Sequence, residues 1–321
     1  MKNTKEQIIE IELQPINIVL RAKLLTDLNG DLCDLLLRYL PYKSVQCHSF
    51  VAGYQLYHYT PIVESVSVVP QTEERLIDQP IGRVSLSALQ LMPIKYGDVT
   101  EPLTANPIAQ VLDADISKLK KAGKLVWNSL YKTKKLVYVT VRIPGISSRM
   151  YQIKTPQTAN KKLNNFLDKV YKEINNGFSK PPKELVDIFT GKEQEGVGTY
   201  NQYFATMVFV NGELRQLGYN ALGGLLKVAS DKKIDLGAFR RIIEPFSKIA
   251  AGFLGYVGLK TLHGFVEEAI ALSKEIKSRE EMIELFNVVT TYANQLHGWS
   301  LCYFPWQYGK YHSLNGKSNI Y

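Results

Sequence analysis

At 321 residues, 45% of them hydrophobic, the chain is about twice a common domain length, so two domains with real cores are expected and disulfide or metal staples are not needed. Lysine and arginine outnumber aspartate and glutamate by 39 to 30, but in short scattered groups such as Lys118, Lys120, Lys121 and Lys124. Without a basic block, an RNP-type motif or zinc-finger spacing, the +9 charge reads as a solvated basic surface or one suited to small acidic substrates rather than nucleic acid.

Residues 8 to 24 run apolar (Ile8, Ile9, Ile11, Leu13, then Ile16, Ile18, Leu20), which predicts one or two strands broken near Pro15. Asn29-Gly30-Asp31 supplies a turn and a cap before Leu32, Leu35, Leu36, Leu37 and Leu40, and Pro41 stops that helix. From Val45 to Val69 the chain is rich in Val, Tyr, Phe and His around Gly53, as paired short strands are. Further strands are expected over Gly82 to Leu86, Met92 to Lys95, Ile108 to Leu112 and Leu136 to Arg142, with a helix from about Ile116 to Tyr131. Many short strands with few helices predict a closed or half-closed β-barrel.

After Ile143-Pro144-Gly145 and Thr155-Pro156 the apolar period changes to three or four residues, so a boundary is expected near residue 155, giving domains 1–155 and 156–321. Leu262, Phe265, Val266, Ala269 and Ile270 mark one helix face, and Met282, Leu285, Phe286, Val289 and Ala293 mark another on a helix from about Arg279 to Leu296. This second half reads as a helical bundle, and the whole as an α+β chain.

Several chemistries lack their motifs. No GxGxxG turn follows a strand, so a nicotinamide site is not indicated; Gly252, Gly255 and Gly258 read as close helix packing or a bent connection. The five histidines form no HExxH or HxH pair, metal binding is not expected, and His48 and His58 read as hydrogen-bonded core or rim groups. No GxSxG elbow is present. Cys33, Cys47 and Cys302 read as isolated thiols without CxxC spacing. No segment approaches the roughly 18 uninterrupted apolar residues of a membrane span, and no signal-peptide core opens the chain, so a cytoplasmic protein is expected.

The most informative stretch runs from Gly198 through Tyr200, Asn201, Gln202, Tyr203 and Phe204 to Glu213, followed by Gly218-Tyr219-Asn220-Ala221-Leu222. Aromatics, amides and glycines crowded in this way suit an apolar pocket wall with a few polar handles. This segment, with Lys95-Tyr96-Gly97 upstream and Tyr303-Phe304-Pro305-Trp306-Gln307 near the end, resembles the cucumopine and mikimopine synthase family. That family is related to bacterial Pictet-Spengler cyclases that build β-carbolines. The resemblance implies a cyclophilin-like barrel followed by a helical bundle, a homodimer, and a setting in the cytosol of transformed plant cells. It also implies condensation of L-histidine with 2-oxoglutarate without hydride, metal, nucleotide or other cofactor.

Glu101 follows Lys95-Tyr96-Gly97-Asp98-Val99-Thr100 and precedes Pro102-Leu103 in a loop expected to leave a strand. Apolar neighbours would tend to desolvate it toward a base useful near neutral pH, although the residues alone fit a solvated loop glutamate better, and it is the resemblance that favours the base. The β-carboline-forming relatives carry their catalytic glutamate at the matching place, and an arginine that Arg75 matches within one residue. They carry a histidine where this chain has Leu91, which puts any role of that histidine in doubt here. Arg75, Lys95 and Arg215 are candidates to hold a keto acid's carboxylates, and Tyr200, Gln202 and Tyr203 to position the amino acid. Two other readings stay open: a β-carboline-type cyclase using tryptophan, and a peptide-binding or prolyl-isomerase-like barrel.

Overall fold

A computed structural model describes residues 7–66, 68–133, 135–146, 149–190, 192 and 203–303, with the side chains of residues 203, 204 and 303 excepted. The chain divides into two compact units, Met1–Gln152 and Ile153–Tyr321.

The first unit is a β-barrel. Its strands are β1 (Ile8–Gln14), β2 (Ile18–Leu24), β3 (Tyr42–His48), β4 (Gly53–Tyr59), β5 (Glu74–Arg75), β6 (Arg83–Leu86), β7 (Leu91–Val99), β8 (Thr104–Val111) and β9 (Val137–Arg142). The order β2-β1-β9-β3-β4-β7-β6-β8 returns on itself, because Ala22, Lys23 and Leu24 of β2 pair with Val111, Gln110 and Ala109 of β8. Closure leaves no open edge among these eight strands, and β5 is added on the flank of β8. Alternation builds the interior: Ile9, Ile11 and Leu13 of β1, Leu20 and Ala22 of β2, and Val137, Val139 and Val141 of β9 are all fully buried. The expected break near Pro15 is the β1–β2 turn, where Asn17 takes the left-handed conformation that asparagine tolerates.

Two helices pack in this unit, α1 (Thr26–Arg38) and α2 (Ile116–Asn128). The expected cap at Asn29 is instead a kink inside α1, with φ −147° and ψ 67°. Its amide donates to the carbonyls of Thr72 and Pro107 at 2.9 and 2.8 Å, and its oxygen accepts from the backbone N–H of Gln71 and Thr72. Tertiary hydrogen bonds therefore hold a break that local sequence reads as a terminus. Helix α2 stops at Asn128, and Ser129–Thr133 continues as a π-helical turn rather than regular helix.

The second unit is helical: α3 (Lys161–Gly177), α4 (Lys183–Phe189), α5 (Tyr203–Arg215), a π-helical segment Gln216–Leu222, α6 (Gly223–Ser230), α7 (Leu236–Tyr256), α8 (Lys260–Ser273) and α9 (Arg279–Tyr303). Asn160 and Asp235 cap α3 and α7, each accepting two backbone N–H groups at the first turn. Helix α9 continues past the expected Leu296 and is buried on all sides from Val288 to Ser300. Two of its polar groups are held by neighbours: the Gln295 amide donates to the Ile174 carbonyl at 2.9 Å, and the Trp299 indole to the Gly177 carbonyl at 2.8 Å. Gly255 gives the close packing its spacing suggested, since an added Cβ would stand 2.7 Å from the His263 ring, while Gly258 turns the chain at φ +116°. Of the three cysteines, Cys33 alone is a free thiol among the described residues, which corrects the reading of three isolated thiols.

Candidate functional site

Strand β7 carries the Lys95-Tyr96-Gly97 motif, and its register against β4 assigns the motif's surroundings. Tyr59 pairs with Leu91, Tyr57 with Pro93 and Gln55 with Lys95, so these six residues share one sheet face. Leu56, His58, Met92 and Ile94 take the other face, the barrel interior, and are fully buried. There the Tyr42 hydroxyl and His58 Nε2 are 2.8 Å apart, and burial pushes the His58 pKa down to about 3, so this histidine is a neutral core group. His48 is likewise pushed down to about 4, chiefly by burial, with Nε2 2.5 Å from the Tyr96 hydroxyl. Both histidines thus have the hydrogen-bonded structural roles their strand positions suggested.

Lys95 is 6% exposed, and its ammonium donates to the carbonyls of Leu76 and Ile77, both at 2.9 Å. Burial lowers its pKa, against the attraction of Asp98 and Asp78. The carbonyls it grips directly follow Arg75. That segment is fixed further by pairing of Glu74 with Ala105 and Arg75 with Thr104, by the Leu76 N–H donating to the Leu103 carbonyl at 2.8 Å, and by a two-pronged Arg83–Glu74 ion pair at 2.9 and 3.0 Å. Arg75 itself is exposed, its Nε donating to Asp78 at 2.6 Å.

Glu101 lies half-buried in the loop between β7 and β8. The loop is pinned on one side by Thr100, whose N–H donates to the Ala52 carbonyl at 2.9 Å and whose hydroxyl donates to that of Val51 at 3.1 Å. This approach needs Gly53: at φ +102° an added Cβ would stand 2.5 Å from the Asp98 carbonyl oxygen. On the other side is the Leu103–Leu76 bond, and beneath lies a buried cluster of Ala52, Leu76, Val99 and Ala105. Hydrogen bonding therefore brings the segments of Glu101, Arg75 and Lys95 together at one end of the barrel unit. Leu91 is buried on the same face as Lys95, so a hydrophobic side chain lines the strand there.

The other sequence candidates lie in the helical unit or outside the described residues. Arg215 is exposed at the end of α5, where a π-helical segment begins, an irregularity frequent at functional sites. Gly218 in that segment packs against α9, since an added Cβ would stand 2.5 Å from Asn294 Oδ1. His297 is pushed down to about 4 by burial and by Arg215, and Asn211 donates to the Ser300 hydroxyl at 2.8 Å. Tyr203 opens α5, while Tyr200, Gln202, Phe304 and Trp306 lie outside the described residues. Among the described residues no group of acidic, histidine or cysteine side chains has the makings of a metal site, and no helix is long and apolar enough to cross a membrane. Gln55, facing Lys95, was not singled out by the sequence, because one glutamine in a run of strand formers carries no signal of its own.

No curated protein sequence matches the chain. The profile of the cucumopine synthase C-terminal helical bundle domain matches residues 163–303. Among solved structures, that of McbB in complex with tryptophan is similar over 94% of this chain and 98% of McbB, with 37% identity and a TM-score of 0.88. Barrel, bundle and sequence agree over nearly the full length, and the chain therefore belongs to the cucumopine synthase family, enzymes of the Pictet-Spengler cyclase type related to McbB.

Proposed function

We propose that this enzyme condenses L-histidine with 2-oxoglutarate to a cucumopine- or mikimopine-type opine, with Glu101 as general base and no cofactor. Amine and ketone lose water to form an imine; once protonated, its carbon is attacked by an imidazole carbon. The new carbon–carbon bond leaves that ring carbon with an extra proton, which the Glu101 carboxylate removes to restore aromaticity. General-base assistance of this kind contributes about 100- to 10,000-fold. Arg75, Lys95 and Arg215 would hold the keto acid's carboxylates, and Tyr200, Gln202 and Tyr203 the amino acid. The observation that carries the reading is the half-buried Glu101 on a doubly pinned loop, joined through Leu103 and Leu76 to the Arg75 and Lys95 segments.

Incubation with L-histidine and 2-oxoglutarate alone should yield their sum minus one water as a cyclised product that borohydride does not reduce. Glu101→Gln should cut turnover at least about 100-fold while histidine still binds; unchanged turnover removes Glu101 from the mechanism. A second reading, tryptophan as the amine, is favoured by the tryptophan bound to McbB, and product from tryptophan but not histidine would establish it.

The working form in this reading is a homodimer in the cytosol of a transformed plant cell. Phe246, Ile249, Phe253 and Tyr256 of α7, spaced three, four and three residues apart, are 61, 70, 49 and 54% exposed and form a seam of coiled-coil spacing. Open space above Gly252 would let a second copy of α7 approach closely. Sedimentation equilibrium should show a dimer that Ile249→Glu dissociates; a monomeric wild type overturns this.

A further inference from the structure

We infer that Gln55 is a substrate-contacting residue, its side-chain amide donating, beside the Lys95 ammonium, to a carboxylate or carbonyl oxygen of the keto-acid partner; this rests on the keto-acid reading above. Gln55 is 5% exposed, and its Nε2 is buried without a hydrogen-bond partner. Burying an amide unpaired is costly, and such groups are few in folded proteins. The Gln55 carbonyl is already engaged, accepting from the Ser49 N–H at 2.8 Å, while the side-chain nitrogen is left over.

Register supplies the second observation. Gln55 is the cross-strand partner of Lys95, which places their Cβ atoms about 4.5–5.5 Å apart on one face. Lys95 donates to two carbonyls, and an ammonium has three N–H groups. An amide and an ammonium side chain thus leave from paired positions on a face shared with Tyr57, Tyr59, Leu91 and Pro93, where a negatively charged oxygen would satisfy both. Chain connectivity ties this pair to the base: the β4–β7 register irregularity between Gly53 and Gln55 leads into the Ala52 carbonyl that pins Thr100, next to Glu101. A carbonyl partner anchored here would present its keto carbon toward the strand end that bears the base.

The test uses the full-length protein and Gln55→Met, close in volume but without the amide. With no ligand, melting should be unchanged or raised, because a buried unpaired donor has been removed. 2-Oxoglutarate should raise the wild-type melting temperature and bind Gln55→Met about 10- to 100-fold more weakly, while binding of the amino acid is unaltered. A lower melting temperature in the unliganded variant would show a structural role and overturn the inference, as would undiminished 2-oxoglutarate binding, which leaves the co-substrate assignment standing. If 2-oxoglutarate has no effect on the wild type but pyruvate or oxaloacetate does, and Gln55→Met abolishes that effect, the co-substrate assignment falls and Gln55 stands. If none of the three shifts the wild type, the inference falls.

Discussion

Replacing Lys95 by methionine separates a chain-positioning role from a purely substrate-binding one. The substitution keeps the aliphatic stem and deletes two hydrogen bonds of 2.9 Å, leaving the Leu76 and Ile77 carbonyls without their donor. An orphaned buried acceptor costs about 1–3 kcal/mol, so two cost about 2–6. Part of this is recovered because the ammonium is itself held there against a desolvation cost, seen in its lowered pKa. A net loss of about 2–3 kcal/mol remains, which for a unit of this size lowers the melting temperature by about 4–12 °C. Amide exchange followed by mass spectrometry should speed up over residues 74–79, since the Leu76 N–H to Leu103 bond loses its neighbouring clamp. Turnover should fall with it, because Arg75 and the Glu101 loop share that anchor. Unchanged melting and exchange, with only weakened 2-oxoglutarate binding, would refute the positioning argument.

Gly123→Ala on α2 would set a Cβ 2.3 Å from the Tyr96 ring, which cannot yield because its hydroxyl is bonded to His48 and its edge meets Tyr54. Overpacking of this kind costs about 1–3 kcal/mol, read as a lower melting temperature; an unaltered one would mean the ring moves freely. Asp115 reports on acid stability. Burial alone would raise its pKa, but hydrogen bonds from Arg21 and Lys118 outweigh this and hold it down at about 2. A depressed folded-state pKa means that the contribution is complete above the unfolded value of 3.8 and is lost as pH falls to about 2. With both cations about half exposed, the shift is discounted to about 1–2 kcal/mol. Urea titrations of the wild type should lose that much over the window and those of Asp115→Asn should not; parallel loss in both would assign acid sensitivity elsewhere.

What the sequence made legible follows from how local each signal is. Alternation in β1 and β9 is visible because inward positions are apolar and outward ones polar, and the change of period after Thr155 marks helices because their buried faces recur every three or four residues. Strand β5 is two residues long and is held by pairing, by Arg83 and by Lys95, all of them distant in sequence, so nothing near Arg75 announces it. The same holds at α1, where Asn29 reads as a cap but is bonded to residues 71, 72 and 107. In the candidate site, Glu101 could be singled out through the family resemblance and Lys95 through its motif, yet the motif does not say that the ammonium grips the chain after Arg75. Gln55 is the sharpest case: a glutamine among Tyr54, Leu56 and Tyr57 fits an exposed strand position as well as a buried one. Its distinction comes from three non-local facts, namely burial, the cross-strand register with Lys95 and the unpaired Nε2. A group left unsatisfied by its own fold is a property of the packed structure rather than of any window of sequence.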